Sequence, residues 1–314
     1  MCIIKKILKI GLIGIASLIA LFVLVVGVLN VAKLVIYRDY YKAESNLCKN
    51  PGLNDGFVCQ GIAAVDGSDL ILVSGYMKGK DASRIYVTTL DSKSYYVSLD
   101  RDGKAYTGHA GGIAVSGDYA YIANGSKIYT FPLEDILNAK NGDVIDIGSG
   151  TKVNNKASFL YSDDKYLYVG TFMEPDSKPV EGHTYKTAEG THNAICSVYS
   201  IDDLSKPVKV YSIRDYVQGI CFTPDGKVVL STSHGISSSV YYVYNFSDAI
   251  DSGFELDGAP VFYLDNLLYS ISGPAMAEGL DYYNGDIITL TESASNKYIF
   301  GKLFFANDIV GLKI

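Results

Sequence analysis

The sequence predicts an all-β protein: a five-bladed β-propeller, with six blades as the alternative, preceded by one N-terminal transmembrane helix. Three observations carry the prediction. A unit of short strands recurs five times between Phe57 and Ile314. The chain is rich in Tyr, Val and Ile with Gly, Asp and Asn punctuation, and holds 26 Tyr and no Trp, a composition suited to strands. One long uncharged apolar run opens it.

That run is IGLIGIASLIALFVLVVGVL, Ile10 to Leu29. Twenty residues at helical rise span about 30 Å, the thickness of a bilayer's hydrocarbon. A cleaved signal peptide, and hence a secreted protein, is the rival reading. Its apolar region is usually shorter, and the only small-x-small site is NVA at Asn30–Ala32. Lys5, Lys6 and Lys9 precede the run, and Lys33, Arg38 and Lys42 follow it, so the flanking charges balance. The large C-terminal domain settles the expected orientation, with a short basic tail inside and the bulk outside the cytoplasm. The expected organisation is a basic tail over 1–9, an anchor over 10–36, a polar stem over 37–56 and the propeller over 57–314.

Beyond residue 38 the chain has 22 basic residues against 34 acidic, a net charge of −12. This excludes nucleic acid as a partner and disfavours an anionic membrane surface. Four cysteines lie there: Cys48, Cys59, Cys196 and Cys221. An even count outside the cytoplasm permits disulfides, with Cys48–Cys59 and Cys196–Cys221 as the candidate pairs.

The repeat reads VCQGIAAVDGSDLILVSGY then SRIYVTTL; GGIAVSGDYAYIANG then SKIYTF; NKASFLYSDDKYLYVGTF then NAICSVYSI; YVQGICFTPDGKVVLSTSHG then SVYYVYNF; MAEGLDYYNGDIITLTES then KYIFGKLFF. In each unit a small residue opens an apolar strand, a polar turn follows, and second and third strands come next. Weaker fourth strands are expected at YYVSL, VIDIG, VKVYSI, PVFYL and IVGLKI. LEDILNAK near Leu133 alone looks helical. The small residues are Gly61, Gly112, Ser158, Gly219 and Gly279. Four strands per 40–60 residues is a propeller period. A small residue at each entry lets the innermost strands crowd around a central channel. Six blades would require strands from residues 39–56 or a merged fourth unit.

Such a topology gathers the loops entering first strands, and those joining second to third strands, around one mouth of the channel. The residues before the small entries form a ring of Gln60, Gly111, Ala157, Gln218 and Glu278. The second-to-third-strand loops add Tyr76, Asn124, Thr171, His234 and Glu292. The loop from Phe172 to Asn193 is long, as functional loops often are. His109, His183, His192 and His234, all the histidines of the chain, fall on this face. The expected ligand-binding set is Gln60, Tyr76, His109, Asn124, Thr171, His183, His192, Gln218 and His234. Glu278 and Glu292 are the candidate metal ligands. Two carboxylates among carbonyls and amides suit Ca²⁺, which takes six to eight oxygens. The Asn124-Gly-Ser acceptor motif reads better as a tight hairpin turn than as a glycosylation site.

QGICFTPDGKVVLSTS and AEGLDYYNGDIITLTE resemble the repeats of the NHL, SMP-30/gluconolactonase and YncE-like propellers. The resemblance spans nearly the whole domain. Gluconolactonase-like members hold a divalent metal in the channel through a Glu before a Gly plus Asn and Asp from other blades. Glu278-Gly279 matches the first element, whereas Gln60, Gly111, Ala157 and Gln218 stand at the other entries. Three functions follow. The first is a membrane-tethered module binding a cell-surface protein, peptide or glycan at the loop face. The second is a metal-dependent hydrolase or lactonase, with Glu278 and Glu292 on the metal and His109 or His234 as general base. A structural surface protein with a plugged channel is the third.

Overall fold

The computed structural model describes residues 2–177, 185–187 and 190–314. Five blades form a ring whose innermost strands are Phe57–Ala64, Gly112–Ser116, Phe159–Ser162, Val217–Phe222 and Ala277–Tyr283. Successive innermost strands pack on one another, and the last packs on the first. The blades grow outward as antiparallel meanders. Buried Val, Ile, Leu and Tyr fill the layers between blades, which is where this composition gains its stability from apolar burial.

The glycine argument holds at four of five entries. A Cβ on Gly61 would lie 2.5 Å from the Ile113 backbone nitrogen, and one on Gly112 would lie 2.4 Å from that of Leu160. Gly219 and Gly279 face Leu280 and Ile62 in the same way. In blade 3 the corresponding position is one residue later than expected. Phe159, not Ser158, takes the glycine's place, and Ser158 aligns with Gly111. Phe159 fits because its cross-strand partner is Gly170, whereas the partners of Gly61 and Gly219 are Ser74 and Ser231. The aromatic ring fills the space that a side chain at 170 would need.

Several outer strands differ from expectation. YYVSL and VKVYSI are fourth strands, within Ser94–Arg101 and Asp203–Ile213. VIDIG instead lies parallel to the edge of blade 1, pairing Ser98 with Val144, and blade 2 is completed by Thr151–Ala157. PVFYL lies parallel to the edge of blade 3, and blade 4 is completed by Leu267–Gly273. IVGLKI is the third strand of blade 5, not the fourth. KYIFGKLFF forms no strand; Phe300–Phe304 is a 3-10 turn within the preceding loop. The fourth strand of blade 5 is Glu44–Lys49, which pairs antiparallel with Asp308–Leu312. The polar stem is therefore largely built into the propeller, and the N- and C-terminal strands close the ring within one sheet.

The apolar run lies in helix α1, Cys2–Ile36, long and apolar enough to span a membrane or act as a signal anchor. A six-residue helix α2, Arg38–Ala43, leads into blade 5. Tyr37 and Tyr40 are buried there, and Tyr40 stacks 5.9 Å from Tyr241. The predicted helix near Leu133 is present as Leu133–Leu137. Cys48, Cys59, Cys196 and Cys221 are buried free thiols, so neither candidate disulfide forms. Cys59 instead receives a hydrogen bond from Asn50 and donates one to the Thr291 carbonyl.

Candidate functional site

Antiparallel alternation puts the entries to first strands and the second-to-third-strand loops on one face. There the channel opens into a cavity of about 420 Å³. Beneath it the channel shrinks to about 10 Å³ between Ile62, Ile113, Leu160, Tyr161 and Asp281. The space is thus a blind pocket at the channel mouth.

Local backbone geometry selects which side chains reach it. The pairing register slips by one residue at Gln60, again at Gln218, and across Glu278-Gly279. A β-bulge of this kind re-aims a side chain out of the pleat. Blades 1, 4 and 5 therefore each turn one polar side chain into the cavity, while blades 2 and 3 contribute Gly111 and Ser158 and leave room. Ser74 Oγ donates to the Ala110 carbonyl and Ser231 Oγ to the Glu278 carbonyl, so each stitches an entry to the neighbouring blade. Tyr216 and Met276, just upstream of two bulges, hold left-handed φ values of 65° and 68°. Such strain concentrates at sites that the surrounding structure over-determines.

The two carboxylates dominate the electrostatics. Glu278 is 3 % exposed and Glu292 is 9 % exposed. Glu292 accepts a hydrogen bond from Gln60 Nε2 at 3.0 Å; the same nitrogen donates to the Cys59 carbonyl. Burial pushes the Glu292 carboxyl up to about 7, against the opposing pull of Lys297, Tyr298 and Gln60. Burial and the neighbouring charge of Glu292 push Glu278 well above the usual carboxylate range. No hydrogen bond reaches the Glu278 carboxylate among the described residues. Lys297 offsets the charge of Glu292, and the remaining repulsion on the desolvated Glu278 carboxylate is what an added cation or a retained proton relieves.

The wall is aromatic. The Tyr76 ring lies 4.5 Å from that of His109, and its hydroxyl is 3.1 Å from that of Tyr298. Lys297 Nζ donates to the Tyr76 hydroxyl and sits 4.9 Å over the Tyr298 ring. The His109 backbone nitrogen donates to Asn124 Oδ1 at 2.8 Å. Burial, then the charges of Lys297 and Lys156, lower the His109 pKa.

Of the sequence-predicted residues, Gln60, Tyr76, His109, Asn124, Gln218, Glu278 and Glu292 line this cavity. Three do not. Thr171 is buried and bonds the Lys156 carbonyl through its hydroxyl. His234 stacks on Tyr216 at 4.7 Å and pairs with Glu174 at 3.5 Å, outside the lining. His192 lies in the short strand Gly190–His192 of the long loop. His183 lies outside the described residues. In the entry ring Ser158 stands where Ala157 was expected, although both line the cavity. Lys156, Phe172 and Tyr298 also line it and were missed. Tyr298 was hidden by the apolar segment that reads as a third strand; the mixed Lys-Tyr chemistry of SNKY was the available signal.

The donor set bears on the expected metal. Among the described residues no three His, Cys, Asp or Glu side chains are placed to hold an ion together. Gln60 turns an N–H, not its oxygen, toward Glu292. The constellation implied by the gluconolactonase resemblance is not supplied beyond Glu278.

Residues 107–128 match the LVIVD repeat. No curated protein matches the sequence. Among solved structures the chain is similar to a glutaminyl cyclase of Myxococcus xanthus, with 11 % identity, coverage of 85 % of this chain and 95 % of that one, and a TM-score of 0.44. It is also similar to the PQQ-bound aldose sugar dehydrogenase of Streptomyces coelicolor, with 17 % identity, coverage of 79 % and 76 %, and a TM-score of 0.44.

Proposed function

We propose that the chain is a membrane-anchored propeller, its domain outside the cytoplasm, that works as a binding module and receives a positively charged group at the channel mouth. One observation carries the reading: the Glu278 carboxylate is buried, aimed into a blind cavity, and opposed by a second carboxylate, Glu292. A cation entering there replaces repulsion with attraction in a site of low local dielectric. Phe172 adds a ring that suits an organic ammonium, and Lys297, held over the Tyr76 and Tyr298 rings, shows that this wall accepts a cation. Such a group is carried by a peptide, a cell-surface protein or an amino sugar of a glycan. Gln60, Gln218, Asn124 and His109 are the polar groups assigned to orienting it.

A bare divalent cation such as Ca²⁺ is the competing occupant of the same carboxylates, so the test has two arms. The full chain in detergent is titrated calorimetrically with CaCl₂ and, separately, with tetramethylammonium and a Lys-rich peptide. Binding weakened at least about tenfold by Glu278→Gln and Glu292→Gln, a loss of about 1.4 kcal/mol, supports the reading, and the arm that responds identifies the cation. Unchanged binding in both variants, or none in either arm, overturns it and redirects the search to neutral glycans and peptides. The metal-dependent lactonase alternative is less well supported, because a third metal-binding side chain is missing among the described residues and, of the two candidate bases, only His109 lines the cavity.

A further inference from the structure

We propose that the face bearing the cavity lies against the lipid bilayer, with the segment from Ile299 to Phe305 resting in the interface beside the membrane helix. The inference rests on the membrane-anchor reading and goes beyond it, since an anchor on a free linker would leave the propeller's orientation open.

The attachment is not a free linker. Asn30 Nδ2, in the last third of α1, donates to the Lys302 carbonyl at 3.1 Å and the Leu303 carbonyl at 3.3 Å. Lys33 Nζ donates to the Phe305 carbonyl. The Tyr37 hydroxyl meets Ser238 Oγ at 3.0 Å, and its ring meets Phe304 edge-on at 6.1 Å. Ser238 lies in the second-to-third-strand loop of blade 4, and 300–304 lie in that of blade 5. Both loops belong to the cavity face. The chain therefore joins the propeller through that face, and the apolar run Ile10–Leu29 projects from it.

The exposed apolar side chains of those loops agree. Ile299 is 68 % exposed, Phe300 65 % and Ile236 52 %. Ile299 follows directly on Tyr298, which lines the cavity. Lys302 and Lys33 flank the apolar tip, their ammonium groups donating to the Ala294 and Phe305 carbonyls, which braces the loop and ties it to the helix. Apolar tips held beside the exit of a spanning helix enter the headgroup boundary rather than water. The cavity then opens toward the membrane, and its ligand arrives along the lipid surface or from a molecule embedded in it.

The lack of native Trp makes the test direct. Single-Trp variants Phe300→Trp, Ile299→Trp, Leu18→Trp and Tyr119→Trp are reconstituted as full chains in phosphatidylcholine vesicles, with and without acyl-chain bromine. Tyr119 begins a second strand and so stands on the opposite face. Lipid bromine is expected to cut emission of the 299 and 300 reporters roughly twofold, because interfacial side chains sit about 5–10 Å into the headgroup boundary. Leu18→Trp is expected to be quenched as well, while Tyr119→Trp responds only to aqueous iodide. Leu18→Trp quenched with the 299 and 300 reporters behaving like Tyr119→Trp overturns this proposal and leaves the anchor intact. Leu18→Trp unquenched overturns the anchor and this proposal together.

Discussion

At the scale of single residues, the pair Glu278 and Glu292 ties stability to pH. Both carboxyls are held above the unfolded value of about 4.3, Glu292 up to about 7 and Glu278 well above the usual range by burial and the neighbouring Glu292 charge. Between those limits the folded chain holds more protons than the unfolded chain, so unfolding free energy falls as pH rises. The Glu292 contribution is favourable below about pH 4.3 and is lost as pH climbs through about 7, and Glu278 acts in the same direction. Burial raises Asp281, deeper in the channel, to about 7 as well, so it shares the window. Glu278→Gln is expected to stabilise the ligand-free protein at pH 8 by about 1–3 kcal/mol and to flatten the slope without abolishing it. Thermal melts of wild type and variant from pH 4 to 8 check this. A variant less stable than wild type at pH 8 would mean that the charged pair is already compensated.

At the scale of elements, blade 3 makes the packing rule testable. Gly112→Ala forces a Cβ to within 2.4 Å of neighbouring backbone and is expected to cost about 3 kcal/mol, as overpacking does. Phe159→Gly alone leaves a void and is expected to cost about 3–5 kcal/mol. Adding Gly170→Ser recreates the Gly–Ser pairing of blades 1 and 4. The double variant should recover stability beyond the sum of the single changes, and urea melts of wild type, Phe159→Gly, Gly170→Ser and the double variant measure that coupling. The same swap explains a limit of sequence reading. The small-residue rule is legible in four blades because it acts locally. Blade 3 meets the same steric demand through a partner on the next strand, which a linear pattern cannot show, and the register slips to Ser158. Fourth strands are obscured for a related reason. VIDIG and PVFYL are more apolar than the true outer strand TKVNNKA, because they add to the edges of other blades. KYIFGKLFF is apolar without pairing: it forms a 3-10 turn beside α1 and leaves Ile299 and Phe300 exposed. In the site, chain topology brings Gln60, Gln218 and Glu278 to one mouth, which the repeat reveals. The bulges that aim them leave no period to read.

At the scale of the whole molecule, stability depends on ring closure, and closure depends on the N-terminus. Glu44–Lys49 completes the sheet that contains the C-terminal strand. Asn50 Nδ2 bonds the Thr291 carbonyl, and the Lys313 nitrogen bonds the Ala43 carbonyl. Upstream, Tyr37 and Tyr40 are core residues between the outer parts of blades 4 and 5. A chain beginning at residue 37 keeps all of these contacts. One beginning at residue 50 exposes the edge of Asp308–Leu312 and empties two tyrosine sites. Losing one buried aromatic costs about 3–5 kcal/mol. Each kcal/mol shifts the melting temperature by about 2–4 °C in a domain of this class. The residue-50 chain should therefore melt at least about 10 °C below the residue-37 chain, and its open strand edge should promote self-association. Differential scanning calorimetry with light scattering distinguishes the outcomes. Equal melting temperatures would mean that the ring is held by its inner strands alone, and that the N-terminal strand serves only to tie the propeller to its helix.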